Sequence, residues 1–221
     1  MMTTRPMTLR ELQAALRDAV GEVAPWSAES ETEYVCGAVL VQNTAWTNVE
    51  RSLAALREAT AFDPVRLLAL TDDELTALIR PSGFMTAKAR AIRGWCRWRL
   101  SSSGARADAL GDDALREALL ALPGIGPETA DVIALMVFGR RRFIFDAYGR
   151  RALRQAGYAP DRQYERTRRS LQARLDAEGL DHAELVELHG LLLESGKRAR
   201  AAGGWDVYGP TFGVAPVRVS S

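Results

Sequence analysis

Apolar residues recur at helical spacing along most of this chain. Around residues 112–121, Leu115, Leu119 and Leu122 follow one another at intervals of four and three positions, which is the spacing of one helix face. A very apolar helix is predicted over residues 31–42, and a basic helix that contains Trp95 and Trp98 over residues 85–100. The strand-like run Phe143-Ile144-Phe145 is too short to pair alone. The pattern therefore predicts an all-α fold.

Capping boxes and prolines mark the predicted helix starts. In a Thr-x-x-Glu box the threonine side chain accepts a backbone amide of the first turn, and the glutamate side chain reaches back to the cap. Proline fits the first helical position, where no N–H is needed, and Pro64 and Pro127 suit that role. The boxes are Thr8-x-x-Glu11, Thr47-x-x-Glu50 and Thr71-x-x-Glu74. Further helices are predicted near 147–156, 162–178 and 181–198.

A glycine-rich turn, Leu122-Pro123-Gly124-Ile125-Gly126, separates two of the predicted helices. Glycine permits positive φ and close backbone approach. The second helix begins at Pro127, and its first amides, at Gly126, Glu128 and Thr129, lack partners within the helix. Together with the helix dipole they form a candidate phosphate site. The alternative is an ordinary hairpin of two helices whose glycines serve only the turn.

Charge is distributed unevenly along the chain. The net charge is only +1, yet residues 1–80 carry seven Arg against twelve Asp and Glu, a balance of −5. Residues 140–174 carry eleven Arg against three acidic residues, a balance of +8. This basic segment directly follows the turn, as a phosphate-binding face would. A solvated, arginine-rich helix is the alternative.

The two cysteines, Cys36 and Cys96, lie among apolar neighbours in predicted helices. We expect buried free thiols in a reducing cytoplasm; two cysteines cannot build a four-cysteine cluster. No apolar run is long enough to span a membrane, and the opening residues lack a signal-peptide core. These observations favour a cytoplasmic protein.

The turn and the residues after it resemble a known family. LPGIGPETAD followed by FIFDAYGRR is similar to the helix-hairpin-helix, Gly/Pro-Asp signature of the endonuclease III superfamily of DNA base-excision glycosylases. Three further segments resemble the same superfamily, so that the resemblance covers roughly residues 25–200. The combination is most similar to the bacterial endonuclease III-like 3-methyladenine DNA glycosylases that lack an iron–sulfur cluster. The three segments are AVLVQNTAWTNVERSL (38–53), IRPSGFMTAKARAI (79–92) and ELHGLLLESGKRAR (187–200).

The resemblance implies two helical lobes with a DNA-binding cleft between them. We expect a six-helix lobe over residues 25–135, with the helix-hairpin-helix at 112–138. The second lobe is expected from 1–24 plus 136–200, followed by an irregular tail over 201–221. A nucleoid-associated bacterial monomer without a cofactor is expected.

Two departures from the bifunctional members are informative. Glu128 stands where those enzymes carry the lysine that forms a Schiff base with the sugar, and the only lysines, Lys88 and Lys197, lie outside the hairpin. The cluster cysteines are missing, since the first would fall near Ala199. Both departures imply a hydrolytic glycosylase, without AP lyase activity and without an iron–sulfur cluster.

Asp146 is the candidate catalytic residue by this resemblance. Cleavage of an N-glycosidic bond develops positive charge on the sugar. A nearby carboxylate stabilises that charge and can orient or deprotonate the attacking water. Aspartate is also a frequent N-cap, here of the helix predicted at 147–156. The two roles are compatible, because a cap fixes the side chain.

The candidate base pocket consists of Trp46, Trp26 and Glu128. A flipped base commonly stacks on aromatic rings, and a cationic base gains attraction from them. Either tryptophan could instead be a core residue. Glu128 could instead stabilise its helix simply as an acid in the first turn.

Gln42 and Phe84 lie on the two segments that the resemblance places against DNA. Gln42 is expected to fill the gap left by the flipped nucleotide, and Phe84 to wedge between bases of the opposite strand. Phe84 could alternatively be a buried loop anchor. The carbonyls of Leu122 and Ile125 are a candidate site for a monovalent cation. The full set of predicted DNA-binding residues is Gln42, Phe84, Lys88, Gly124, Ile125, Gly126 and Thr129.

The sequence thus predicts a monofunctional glycosylase that flips and excises alkylated purines from damaged double-stranded DNA, with an AP endonuclease acting downstream. One alternative is a glycosylase for oxidised or mismatched bases on the same scaffold. Another is a non-catalytic helix-hairpin-helix protein that only grips the DNA backbone.

Overall fold

The computed structural model describes residues 5–24 and 26–212. Over these residues it contains thirteen α-helices, three short 3-10 helices and no strand, which confirms the predicted all-α fold. The run Phe143-Ile144-Phe145 is buried and irregular. Within the same residues, no helix combines the length and the apolarity that a membrane crossing requires.

The chain divides into two compact units. Residues 27–140 form one, here called the central unit, and residues 1–26 together with 141–221 form the other, the terminal unit. The sequence placed the corresponding boundaries at 25 and 135 and set residues 201–221 apart as an irregular tail. The described part of that tail contains the end of one helix and two short helical segments, Trp205–Tyr208 and Gly209–Phe212. The Gly/Pro content of this segment predicted an irregular tail. The segment is instead anchored by the buried Trp205, whose ring centroid lies 5.9 Å from that of Tyr208.

The central unit is built around one long helix. α6 contacts α2, α4, α5 and α7, and its Trp95 is completely buried and donates its indole N–H to Thr32 Oγ1 of α2 at 3.4 Å. Cys36 and Cys96 lie on α2 and α6 as buried free thiols, as predicted. The helices of this unit are α2 (Glu31–Leu40), α3 (Trp46–Thr60), α4 (Pro64–Ala69), α5 (Asp72–Leu78), α6 (Met85–Leu100), α7 (Ser102–Ala105), α8 (Asp112–Leu120) and α9 (Pro127–Met136).

The terminal unit packs several helices onto α12. That helix contacts α1, α10 and α13. Arg17 of α1 joins Glu187 of α12 by an ion pair at 2.6 Å, which adds a polar link to the apolar interface. The helices of this unit are α1 (Leu9–Val20), α10 (Ala147–Gln155), α11 (Tyr164–Asp176), α12 (His182–Ala201) and α13 (Trp205–Tyr208).

Two of the three predicted capping boxes are present. Thr8 and Thr71 each accept the amide of the glutamate three residues on, and each glutamate reaches back to the cap. The third prediction, at Thr47, is wrong, because α3 begins at Trp46 and has Ala45 as an N-cap without a side-chain bond. The Glu50 carboxylate accepts the indole N–H of Trp46 at 3.0 Å in place of the predicted bond to the backbone of Thr47.

Candidate active site and DNA-binding hairpin

The hairpin between α8 and α9 has the predicted construction. Gly124 has φ of +80°, and the Ile125 amide closes the turn on the Leu122 carbonyl at 3.2 Å. Pro127 is the first residue of α9. Gly126, in contrast, has an ordinary φ of −88°, so positive φ is needed at only one of the two glycines.

The turn is seated on small residues of α6. A methyl group added at Gly124 would lie 2.9 Å from the Cβ of Ala91, and one added at Gly94 would lie 2.9 Å from the ring of Pro123. Both distances are shorter than a normal carbon–carbon contact. Around Gly126, apart from its two chain neighbours, no atom of the described residues lies within 4 Å of such a methyl group. The hairpin is therefore tightly packed on its inner side and open beside Gly126.

A buried ion pair joins the two hairpin helices. Arg116 Nε on α8 lies 2.8 Å from Asp131 Oδ1 on α9, and both residues are buried. Breaking such a pair by removing one partner is costly, because the other charge stays buried. Neither residue was predicted from the sequence to have a role. The pair fixes α9 against α8 and thus the helix end that carries the candidate phosphate site.

The structure divides the predicted phosphate-binding residues into buried and open positions. Ile125 and Thr129 are buried as whole residues, each only 5% exposed. Gly124 and Gly126 are exposed, whereas Glu128 is half-buried in the first turn of α9. An acid in that position interacts favourably with the helix dipole.

Asp146 lies in the terminal unit as the N-cap of α10. Its Oδ1 accepts the Gly149 amide at 2.6 Å, so the predicted capping role is confirmed. The residue is only 7% exposed. Burial raises the pKa of this carboxyl to about 6, although the Gly149 amide and the positive charge of Arg150 act in the opposite direction. Asp146 is thus an acid held in one orientation, with a pKa close to neutrality.

Close backbone packing explains the residues that follow Asp146. A methyl group at Gly149 would lie 2.7 Å from the Ile144 carbonyl oxygen and 3.1 Å from Asp146 Oδ1. Gly196 on α12 accommodates the ring of Tyr148, since a methyl group there would lie 2.0 Å from it. Two glycines, one near in sequence and one distant, therefore hold the start of α10 and with it the carboxylate.

Gln42 and Phe84 lie on loops of the central unit that follow two helical ends. Gln42 is half-buried in the turn after α2, next to Asn43 with φ of 57°. Phe84 is 69% exposed and has φ of 50°, so it is not a buried loop anchor. A bulky residue in the left-handed region is strained, and such strain is concentrated at functional sites.

Lys88 lies elsewhere than predicted. We expected it at the DNA surface, but it is 5% exposed, and its ammonium donates to the carbonyls of Leu40 at 2.9 Å and Ser82 at 2.7 Å. Burial lowers its pKa. The reason for the difference is that the second turn of α6 faces the interior of the unit, where two carbonyls from helical ends need a donor. Lys197, the other lysine, is exposed and lies 3.6 Å from Glu194.

The two pocket tryptophans belong to different units. Trp46, the first residue of α3, is 37% exposed, and its indole N–H is held by Glu50. Trp26 is half-buried at the end of the first segment of the terminal unit. Trp46 therefore presents a ring surface to solvent and is not a core residue.

Part of the predicted basic face serves internal bonds. Arg140 donates to the carbonyls of Asp108 and Leu110, and Arg141 donates to that of Leu180 at 2.8 Å. On α11 the side chains of Arg166 and Arg169 are 69% and 76% exposed. The basic segment thus contributes both structural arginines and exposed ones, and the exposed Arg166 and Arg169 lie 4.0 and 3.5 Å from the carboxylates of Asp161 and Glu165.

Comparison with known proteins identifies the family of this chain. Residues 36–177 match the model described as the HhH-GPD superfamily base excision DNA repair protein. A protein of Methanocaldococcus jannaschii, whose name assigns it provisionally to the DNA repair glycosylases, is 32% identical over 188 residues. That alignment covers 83% of this chain and 84% of the relative. The chain belongs to the HhH-GPD superfamily. It is a DNA glycosylase of base-excision repair.

Solved structures of HhH-GPD glycosylases share its fold. The 3-methyladenine DNA glycosylase of H. pylori, bound to 1,N6-ethenoadenine, superposes with a TM-score of 0.69 at 24% identity, over 87% of this chain and 98% of that one. An endonuclease III trapped as a covalent intermediate on DNA superposes with a TM-score of 0.65 at 20% identity, over 85% of each chain.

The HhH-GPD superfamily includes iron–sulfur members, but the residues of this chain do not fit a cluster. Such clusters are held by four cysteine thiolates, and the whole sequence contains two cysteines. Burial raises the thiol pKa of Cys36 well above normal and that of Cys96 to about 12. Two buried cysteines cannot supply the four thiolates of a cluster.

Proposed function

We propose that this glycosylase hydrolytically excises alkylated purines of the 3-methyladenine type from double-stranded DNA and does not cleave the strand. The observation that carries the proposal is Asp146, a buried acid locked at the start of α10 by the Gly149 amide. It follows the hairpin in a chain of the HhH-GPD superfamily. Its chemistry matches the needs of N-glycosidic hydrolysis.

The proposed reaction uses Asp146 in its ionised form. The bond between C1′ and the purine breaks with its electron pair moving to the base, and positive charge develops on the sugar. The carboxylate stabilises that charge, and water adds to C1′ while its proton passes to Asp146. With a pKa of about 6, the carboxyl is ionised at neutral pH and is still basic enough to accept this proton.

The lysines support a hydrolytic rather than a covalent route. A Schiff base requires an unprotonated amine that reaches the sugar. The Lys88 ammonium donates to two backbone carbonyls inside the central unit. Lys197 is exposed beside Glu194, and Glu128 occupies the hairpin position where the bifunctional pattern has lysine. The product is then an intact abasic strand, which an AP endonuclease must cut.

Two features support an alkylated purine as substrate. A purine methylated at a ring nitrogen carries positive charge, so it leaves readily and gains attraction from an aromatic face; the exposed ring of Trp46 is the candidate face. In addition, the H. pylori and Archaeoglobus fulgidus proteins that share this fold are 3-methyladenine DNA glycosylases. Glu128 and Trp26 are the other candidate pocket residues.

DNA is proposed to bind through the hairpin and the two exposed loops. The first-turn amides of α9 and the open space beside Gly126 suit a backbone phosphate. Phe84, exposed and strained, suits insertion between bases, and Gln42 suits the space of the flipped nucleotide. The carbonyls of Leu122 and Ile125 remain candidates for a monovalent cation at the turn.

Defined duplexes test this proposal. The protein and its Asp146→Asn variant are incubated with duplexes that contain a purine methylated at a ring nitrogen, an oxidised pyrimidine or a mismatch, and strand breaks are measured with and without alkali. We expect breaks only after alkali, only at the alkylated purine and only with the unchanged protein. Preferred cleavage at the oxidised or mismatched site would favour the alternative glycosylase. Binding without base release from any duplex would favour a non-catalytic protein.

Borohydride trapping tests the absence of lyase activity separately. Reduction of a Schiff base on abasic DNA gives a covalent adduct, which is visible as a gel shift under denaturing conditions. We expect no adduct. An adduct that disappears in Lys88→Met or Lys197→Met would contradict the hydrolytic assignment and identify the amine.

A further inference from the structure

The buried ammonium of Lys88 joins two helical ends of the central unit. One of its acceptors is the carbonyl of Leu40, the last residue of α2, and the other is that of Ser82, the last residue of the 3-10 helix Arg80–Ser82. Carbonyls in the last turn of a helix have no partner within it, and a positive charge is favourable there. The Lys88 side chain thus supplies a hydrogen-bond donor to the terminal carbonyls of both helices.

Both joined ends lead directly into the exposed loops. Leu40 stands two residues before Gln42, and Ser82 stands two residues before Phe84. Each loop contains a non-glycine residue in the left-handed region, Asn43 with φ of 57° and Phe84 with φ of 50°. Such backbone geometry persists only where the surrounding structure holds it, and the Lys88 bonds lie at the base of both loops.

The network extends to a third element. The hydroxyl of Ser82 lies 2.9 Å from that of Ser52 in a completely buried contact and 3.4 Å from the carbonyl of Asn48. Ser52 and Asn48 belong to α3, which begins with the exposed Trp46. Lys88, through Ser82, therefore connects the loops of Gln42 and Phe84 and the helix that carries Trp46.

Stability alone is a poor reason to bury this charge. Removing an ammonium from water is costly, and apolar residues of similar volume often stabilise a core better. A charge with two fixed acceptors, on the other hand, specifies the distance between the segments that provide them.

We propose that Lys88 is a positioning residue that couples Gln42 and Phe84, so that the two loops engage DNA as one unit. This inference rests on the proposed function, in which these side chains enter damaged DNA. It assigns no contact with DNA to Lys88 itself. Loss of the ammonium uncouples the loops.

A double-mutant cycle measures this coupling. The measured quantity is the preference for a duplex with a tetrahydrofuran abasic analogue over the same undamaged duplex, for Gln42→Ala, Phe84→Ala and the double variant. In the unchanged background we expect the two effects to differ from multiplicative by at least about fivefold, as for residues that act together. In Lys88→Met we expect an approximately tenfold weaker preference and effects that multiply.

Arg93→Met is the matched control. Arg93 lies on the same helix, is similarly buried, and donates to the carbonyls of Leu68 at 3.2 Å and Leu70 at 2.5 Å, which lie at the end of α4 and not beside either loop. Its replacement should lower the unfolding midpoint but leave both the abasic preference and the coupling unchanged. Lys88→Arg, which keeps a cationic donor, should restore part of the coupling. Lys88→Gln, which loses the charge and is one bond shorter, replaces the methionine variant if that variant does not fold.

The outcomes separate this inference from the proposed function. Coupling that persists in Lys88→Met, or is lost equally in Arg93→Met, would overturn the role of Lys88 while leaving the glycosylase proposal intact. If the unchanged protein shows no preference for the abasic analogue, the proposed DNA engagement fails, and the inference fails with it.

Discussion

At the residue scale, Asp146 meets two requirements with one carboxyl group. As an N-cap it accepts the Gly149 amide at 2.6 Å, which fixes its orientation. As a buried group it has its pKa raised to about 6, chiefly by desolvation. Desolvation makes the carboxylate a better base at the cost of folding stability, a combination typical of catalytic groups.

The first prediction concerns Asp146→Asn. Asparagine also caps helices, so the fold is kept while the charge is lost. We expect the excision rate to fall by at least about 100-fold. At pH 8 we expect the free energy of unfolding to rise by about 1–3 kcal/mol, since the raised pKa means that ionised Asp146 destabilises the folded state, and each pKa unit is worth about 1.4 kcal/mol.

Urea denaturation at pH 8 and pH 4 measures this difference. The folded-state pKa of Asp146 lies above its unfolded value, so the destabilisation is fully present above pH 6 and is removed as the pH falls toward 4. The advantage of the asparagine variant should therefore disappear near pH 4. A variant that is less stable at both pH values would contradict the desolvation account.

The second prediction is the pH dependence of excision. If Asp146 acts as the carboxylate, the single-turnover rate should be constant above about pH 7 and fall tenfold per pH unit well below the pKa of about 6. Spontaneous depurination is subtracted with reactions that contain no enzyme. A rate that stays constant from pH 5 to pH 8 would show that the ionisation of Asp146 does not control the chemistry.

At the scale of elements, the two glycines of the hairpin differ in their surroundings. Gly124 needs positive φ and lies against Ala91 of α6, whereas Gly126 has ordinary φ and open space around it. The hairpin is held in place by the packing of Pro123 on Gly94 of α6 and by the ion pair between Arg116 and Asp131. The side beside Gly126 is the open side of the hairpin, where we propose that a phosphate binds.

The third prediction compares alanine at these two glycines. Gly126→Ala should change stability by less than about 0.5 kcal/mol but weaken binding to a duplex several-fold, because the methyl group occupies the proposed phosphate approach. Gly124→Ala should cost at least about 1 kcal/mol of stability through the left-handed backbone.

Thermal unfolding and fluorescence anisotropy at two salt concentrations measure these effects. Gly111→Ala is the control for binding, since Gly111 also has ordinary φ and open surroundings but stands at the opposite end of α8. Equal affinities for Gly126→Ala and Gly111→Ala would argue against a phosphate at the start of α9.

At the scale of the whole molecule, local signals were predictable and long-range contacts were not. The boxes at Thr8 and Thr71 and the cap at Asp146 depend on residues a few positions apart, so the sequence reveals them. The prediction of a box at Thr47 was wrong because α3 already begins at Trp46, and Glu50 accepts the indole N–H of that residue. The prediction that Lys88 lies at the DNA surface was wrong, because its two acceptor carbonyls lie on segments that come together only in the folded unit.

The same limit applies to the support of Asp146. The contact of Tyr148 with Gly196 joins α10 to α12, which are far apart in the sequence. No local sequence pattern predicts this contact. The family resemblance identifies Asp146 as the candidate catalytic residue. The structure adds that the Gly149 amide orients its carboxyl group and that burial removes this group from water. A motif can therefore indicate the candidate catalytic residue, whereas the contacts that position it form only in the folded unit.

The most direct test of the central claim is mass spectrometry of the free bases released from methylated and from oxidised duplex DNA. We predict release of 3-methyladenine from the methylated DNA by the unchanged protein, none above background by Asp146→Asn, and none from the oxidised DNA. Release of oxidised bases instead, or equal release of 3-methyladenine by both proteins, would contradict the account.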